Sequence, residues 1–195
     1  AKYYTPSGRS IQRDYSQGNL YDYFRRRGNN SSRSQAPSKT LTGRNVYGGD
    51  GILPDEIVET PQLSESQIVL LDPVFFFARK LANGRVKGFE GYKISAPAQY
   101  GKRIKASDFP AGDELLNAFR VYLKKENFVF SDEKFEVNRK FIAARLRYNL
   151  ATAAFGSIAA NQILIENDSQ AARAIDALPR AQNLLVATRR IAQKK

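Results

Sequence analysis

The sequence predicts an α+β chain in which a few short strands precede a mostly helical C-terminal domain. Three observations predict it. Near the start, strand formers flank turn residues: Lys2-Tyr3-Tyr4-Thr5, then Pro6-Ser7-Gly8, then Arg9-Ser10-Ile11-Gln12. A capping-box tetrad, Ser64-Glu65-Ser66-Gln67, marks the point where the character turns helical. From Asp113 onward, apolar residues recur at helical spacing through most of the chain. The division falls near residue 62. Residues 1–62 hold the strands together with a flexible basic insertion at about 13–49, and residues 63–195 hold the helices.

The first element is a hairpin, Lys2–Thr5 against Arg9–Gln12, turned by Pro6-Ser7-Gly8. A two-stranded hairpin alone is marginal in water, so this one needs a sheet to join. The expectation is that this sheet lies elsewhere in a longer polypeptide. The insertion follows. Its stretch RRRGNNSSRSQAPSKT has almost nothing to bury, which predicts a mobile loop. At its near end, Tyr15, Leu20, Tyr21, Tyr23 and Phe24 could pack on a surface, and at its far end Val46-Tyr47 could form a short strand. Gly48-Gly49-Asp50-Gly51 turns the chain, and Ile52–Val58 reads as an edge strand that tolerates Pro54.

In the helical part, Ser64 caps a first helix, Asp72-Pro73 offers a second start, and Asn83-Gly84 is a stop. Residues 85–110 are irregular. Asp113 caps a helix carrying Leu115, Leu116, Phe119, Tyr122 and Leu123, and Phe128-Val129-Phe130 is an extended link. Ser131-Asp132-Glu133 opens one long helix with Phe135, Ile142, Leu146, Leu150, Ala153, Ile158 and Ile163 on one side. The alanines Ala151, Ala153, Ala154, Ala159 and Ala160 permit close helix packing. Asp168 caps a final helix with Ile175, Leu178, Leu184, Leu185 and Ile191, which Pro179 should kink or divide. The helices after Asp113 are expected to form a small bundle. No internal repeat is read.

Composition narrows the chemistry. The 195 residues contain no histidine and no cysteine, which excludes Ser-His-Asp and Cys-His nucleophilic systems, disulfides and zinc sites of the usual ligand types. No apolar run reaches the roughly 18 residues of a membrane span. The net charge of +12 is unevenly spread. Between Arg13 and Gly49 there are seven basic residues (Arg13, Arg25, Arg26, Arg27, Arg33, Lys39, Arg44) against two acids (Asp14, Asp22). From Arg180 to Lys195 there are five (Arg180, Arg189, Arg190, Lys194, Lys195) and no acid. A basic loop and a basic tail on a nearly balanced body more often serve solubility or a partner surface than nucleic acid.

Individual candidates reduce to ordinary roles. A Ser-Lys pair of Ser10 or Ser7 with Lys2 across the hairpin is conceivable. Turn and strand roles explain these serines more simply. Asp50 and Asp55 read as solvated or capping acids rather than a cation site. Arg25-Arg26-Arg27 reads as a solvated run, and Phe75-Phe76-Phe77 as core. Gly48-Gly49-Asp50-Gly51 lacks the lysine and the following helix of a phosphate loop.

Two segments together carry a family likeness. Thr5-Pro6-Ser7-Gly8-Arg9-Ser10-Ile11-Gln12, followed by Gly51-Ile52-Leu53-Pro54-Asp55, resembles the carboxy-terminal processing (tail-specific) serine peptidases. There, a strand ending in a TPSGRSIQ-like turn follows the catalytic lysine. The helical tail is also similar, at Ala153-Ala154-Phe155-Gly156 and at Asp168-Ser169-Gln170 leading into Ala177-Leu178-Pro179. The insertion departs from the shortest members but resembles versions with a loop like Gly43-Arg44-Asn45-Val46-Tyr47-Gly48-Gly49.

The resemblance implies a parent with a serine nucleophile and a lysine base, a mechanism that needs no histidine. It implies a cell-envelope or periplasmic setting. In the family, both catalytic residues precede the TPSGRSIQ-like turn, and no position here matches either motif or the PDZ module. The implied site set is therefore empty: no catalytic residue, no cofactor, no metal. The implied partners are the protease core and PDZ module of the same polypeptide, the parent's protein substrates, and a second copy through the helical domain. Two other classes compete: a basic helical module for nucleic acid, and a free-standing interaction domain.

Overall fold

A computed structural model describes residues 3–5, 8–12, 37–40, 42–48, 52, 54–59 and 61–193. Among them the chain is mostly helical, with one small two-stranded antiparallel sheet. It divides into two compact units, Glu59–Arg173 and Ala1–Val58 with Ala174–Lys195. Lys2, Pro6, Ser7, the greater part of the insertion with Arg25–Arg27, and Gly49–Gly51 lie outside the described residues.

The sheet joins β1 (Ser38–Lys39) to β2 (Asn45–Val46), with Ser38 opposite Val46 and Lys39 opposite Asn45. Among the described residues the opening hairpin shows one antiparallel bridge, Tyr4 opposite Ser10. The two hairpins are the same device 35 residues apart, a repeat the sequence reading missed. Thr5 N–H donates to the Arg9 carbonyl and Gly8 N–H to the Thr5 carbonyl; Thr40, Arg44 and Gly43 make the same bonds, all at 2.9 Å. In each the third loop residue is a glycine at φ +77°, and the threonine hydroxyl accepts from the arginine N–H. Only glycine holds that left-handed position cheaply, and the result is a three-residue hairpin closed by a bulge. The pattern is Thr-x-Ser/Thr-Gly-Arg, too short to stand out until the turns are superposed. The edge strand expected over Ile52–Val58 does not form: its described residues are bends and coil. Their acids are committed to ion pairs instead, Asp55 with Arg44 and Glu56 with Arg180.

The unit Glu59–Arg173 holds the core. Helix α1 (Glu65–Ala82) starts on the expected capping box: Ser64 Oγ accepts from Gln67 N–H while the Gln67 side chain accepts from Ser64 N–H. It stops at Asn83-Gly84, where Gly84 N–H bonds the Leu81 carbonyl and Arg85 N–H the Lys80 carbonyl. With Gly84 at φ +67°, this closure satisfies two of the last carbonyls. The second start expected at Asp72-Pro73 is absent, and α1 runs through it. Leu70, Val74, Phe77 and Leu81 must share one buried face, and that need outweighs the donor lost at Pro73. The orphaned carbonyl belongs to Val69, on the exposed side, where water can serve it.

A single 3₁₀ turn (Glu90–Tyr92) interrupts the irregular stretch. Helix α2 (Asp113–Lys125) begins one residue earlier than the capping expectation, since Gly112 is the N-cap and Asp113 the first helical residue. Ser131 caps α3 (Asp132–Val137), accepting from Lys134 N–H. The expected long helix is three: α3, α4 (Arg139–Phe155) and α5 (Ser157–Ile165). The first break is Asn138, buried, with Nδ2 donating to Ser66 Oγ and the Lys134 carbonyl. The second is Gly156 at φ +85°, ψ 164°, a region essentially closed to other residues.

Leucines and aromatics of α1, α2, α3 and α4 form the main core, with Phe77, Phe119, Tyr122 and Phe135 in ring contact. Small residues build a second cluster between α4 and α5, where Ala151, Ala154, Ala159 and Ala160 allow close approach. Phe109, itself at φ +54°, packs against both. Ala153 of the expected stripe is exposed within α4 itself, and after Gly156 re-aims the chain Ile158 faces outward at 87% exposure. Helix α6 (Ser169–Ala192) is capped as expected by Asp168, whose carboxylate accepts from Gln170 and Ala171 N–H. It continues through Pro179 undivided, and its Ile175, Leu178, Leu184 and Leu185 are exposed rather than bundled.

Candidate functional site

The sequence reading placed no catalytic, cofactor or metal residue in the chain, so each weighed position was followed. Ser10 is fixed by its backbone bridge to Tyr4, while its conceivable lysine partner, Lys2, lies outside the described residues, as does Ser7. Asp55 is ion-paired with Arg44 and thereby spent as a cation ligand. Asp50 lies outside the described residues, and among those described no acidic or other ligating cluster could hold a metal. The aromatic run divides: Phe77 is core, but Phe75 and Phe76 are each 46% exposed, so the core reading holds for one ring of three. Those two rings meet edge to face at 5.7 Å, with the Arg79 guanidinium 5.8 Å from the Phe75 centroid.

Proximity is then the test for any other chemistry. One concavity in Glu59–Arg173 has a volume of about 490 Å³. It lies between the 3₁₀ turn and the start of α2. Phe89, Tyr92, Pro110 and Leu115 are its apolar walls, Asp113 and Glu114 its carboxylates. Its geometry follows from local chemistry. Glu90 accepts from Gly88 N–H at 2.9 Å, and that bond holds its carboxyl below the usual range. Tyr92 Oη donates to the Pro110 carbonyl and ties the turn to the approach of α2. Burial, and then the charge of Glu114, push the Tyr92 phenol above its ordinary value, so it acts as a neutral donor rather than a base. Asp113 is held by Arg139 at 2.6 Å.

None of these lining residues is a serine, threonine, lysine or cysteine, so the concavity holds no Ser-Lys pair, and its polar side chains are the Tyr92 phenol and the Asp113 and Glu114 carboxylates. Nor does the best-placed lysine outside it suit a base. Lys80 bonds Glu126 at 2.6 Å, and this bond raises its pKa, whereas a lysine base needs the opposite shift.

The sequence reading missed a structural clamp as well. Arg147 bonds the Lys105 carbonyl at 2.8 Å, the Asp108 carbonyl at 3.2 Å and Glu166 at 2.8 Å, fastening the 105–108 loop and the end of α5 to α4. An arginine at a helical position facing the alanine cluster was the available signal. A second net, Asp113–Arg139–Glu136–Arg120–Asp132, links α2 to α3 and α4. These contacts explain much of the charged composition by structure alone.

Compared with protein-family models, with curated proteins and with solved structures, the chain matches none.

Proposed function

We propose that this chain is a non-catalytic C-terminal part of a carboxy-terminal processing serine endopeptidase. The observation that carries the reading is the opening hairpin. Its turn residues are those of the family's TPSGRSIQ-like segment, and among its described residues one bridge, Tyr4 to Ser10, is formed while Tyr4 stays 61% exposed. A strand pair of strand-forming residues with so little pairing is suited to joining a larger sheet. In this reading that sheet belongs to the protease core, which carries the Ser-Lys pair and the PDZ module on another segment of the same polypeptide. The helical unit then braces the core, and the 490 Å³ concavity and the exposed Phe75–Phe76 pair are surfaces for a partner or for the core itself. The parent would act on protein substrates in the cell envelope or periplasm.

Trans-complementation tests it. A catalytic segment of such a peptidase, truncated before its own TPSGRSIQ-like turn, is mixed with this chain and assayed on a fluorogenic peptide. The reading expects no hydrolysis from this chain alone and restored hydrolysis in the mixture. Hydrolysis by the chain alone, or a mixture as inert as its parts, contradicts it.

A further inference from the structure

The positive charge of Glu59–Arg173 is unevenly used. On its helices, Lys80, Arg120, Lys124, Arg139 and Arg147 each hold a carboxylate. The irregular stretch from Arg85 to Lys105 behaves otherwise. It carries six cations, Arg85, Lys87, Lys93, Lys102, Arg103 and Lys105, against one acid, Glu90, whose carboxylate accepts the Gly88 N–H. All six are exposed, and among the described residues no ion pair takes any of them. The fold gathers them. Ile94 N–H donates to the Ala82 carbonyl at 2.9 Å and Gln99 N–H to the Ala154 carbonyl at 2.8 Å, so the stretch runs from the C-terminal end of α1 to that of α4. Arg85 follows the first helix end, and the Lys102 ammonium sits 4.3 Å from the Phe155 ring at the second. Cations belong at helix C-termini, but each terminus carries only roughly −0.5 of a charge. Six cations against one acid exceed what two such ends can use.

We propose that this stretch docks on an anionic lipid bilayer. Charge complementarity selects a polyanion, and the side chains present select lipid. Four of the six cations are lysines, point charges on flexible stems that suit a diffuse sheet of charge, whereas the arginine fork suits carboxylates at fixed positions. From Arg85 to Pro110 the one large hydrophobic residue that stands exposed is Tyr100, at 82%, two residues before Lys102. Its ring is apolar with a polar tip, which fits the depth of lipid headgroups. A single-stranded nucleic acid needs several rings on which successive bases stack. Phe89 and Tyr92 are not free for that: both are half-buried against the main core, and the Tyr92 hydroxyl is bonded to the Pro110 carbonyl. A bilayer needs neither a groove nor a row of rings, because each Lys or Arg near its surface contributes by itself. The contact is peripheral, since among the described residues no helix is long and apolar enough to cross a membrane.

The proposal stands on Glu59–Arg173 alone and does not require the peptidase reading. Its test uses the absence of tryptophan, which lets Tyr100→Trp place a single reporter in the patch. The full chain carrying it is mixed with vesicles of equal parts phosphatidylglycerol and phosphatidylcholine, with vesicles of phosphatidylcholine alone, and with a single-stranded oligonucleotide. The expected result is a blue shift of the tryptophan emission with the anionic vesicles only, fading as salt is raised. On the same background, Lys102→Gln/Arg103→Gln should weaken vesicle binding about 30-fold, roughly fivefold for each charge removed. Lys134→Gln/Lys140→Gln removes the same charge outside the patch and should leave binding within about threefold, because distant charges are screened. All four side chains are exposed, so both variants should keep the helical circular dichroism. Equal losses in the two variants would show that net charge binds rather than this patch. Binding without a blue shift would place the contact on another surface, and either result overturns the proposal. So would a failure to bind anionic vesicles, and an emission change with the oligonucleotide in their stead would assign the patch to nucleic acid.

Discussion

At the scale of single residues, the sequence was most legible where one side chain answers one backbone need. Ser64 and Gln67, Asn83-Gly84, Ser131 and Asp168 all do what their positions predict, because a cap is local chemistry that no distant contact has to supply. Gly156 was not legible as a break, since its neighbours on both sides are good helix formers. Its φ of +85° makes a direct prediction: Gly156→Ala should lower stability by about 1–3 kcal/mol, read from urea unfolding. The added Cβ would lie 2.9 Å from Tyr100 Cδ1, but that ring is exposed and can swing aside, so the cost is the backbone's. Tyrosines give the pH response. Burial raises both Tyr92 and Tyr122 above the ordinary 10.0. A group with a raised folded pKa contributes stability that is whole below its unfolded pKa and is lost as pH climbs through the folded one. The thermal unfolding midpoint should therefore fall progressively above about pH 10, less steeply in Tyr92→Phe. A stability that holds unchanged through that range would show that neither phenol is shielded.

At the scale of elements, helices were readable in kind and misread in extent. Cap and stop signals located α1, and periodicity with an N-cap located α2 and α6, yet periodicity joined α3, α4 and α5 into one stripe. The reason is that the 3.6-residue pattern continues in sequence after Gly156 while the axis does not continue in space. Ile142 and Ile158 make the distinction measurable, as both belong to the same apparent stripe. Ile142 is fully buried in the main core, so Ile142→Ala should cost about 2–5 kcal/mol, while Ile158→Ala should stay within about 0.5 kcal/mol. Equal costs would mean that one unbroken helix buries both. Strands failed in the opposite way. Ile52–Val58 has strand composition, but a strand exists only with a partner, and its acids bind Arg44 and Arg180 instead. The repeated Thr-x-Ser/Thr-Gly-Arg turn was invisible for a different reason, since three shared residues carry meaning only once two hydrogen-bond patterns are seen to coincide. The concavity beside Tyr92 had no sequence signal beyond aromatics in an irregular stretch, because its walls are 27 residues apart and meet only through the fold.

At the scale of the whole molecule, both apolar clusters lie within Glu59–Arg173, while the hairpins and all but the first turn of α6 lie in the other unit. The charge that looked like a nucleic-acid signature is partly absorbed by internal pairs: Arg44, Arg120, Arg139, Arg147 and Arg180 all hold carboxylates. What remains among the described residues is a concavity, a half-exposed phenylalanine pair and the exposed apolar side chains of α6. We propose, from the TPSGRSIQ-like hairpin, that the chain joins a Ser-Lys protease core. The measurement that tests this most directly is to read the gene upstream of the codon for Ala1. The account predicts an open frame carrying a serine motif and then a lysine shortly before Tyr3-Tyr4-Thr5. A start codon immediately before Ala1 would contradict it.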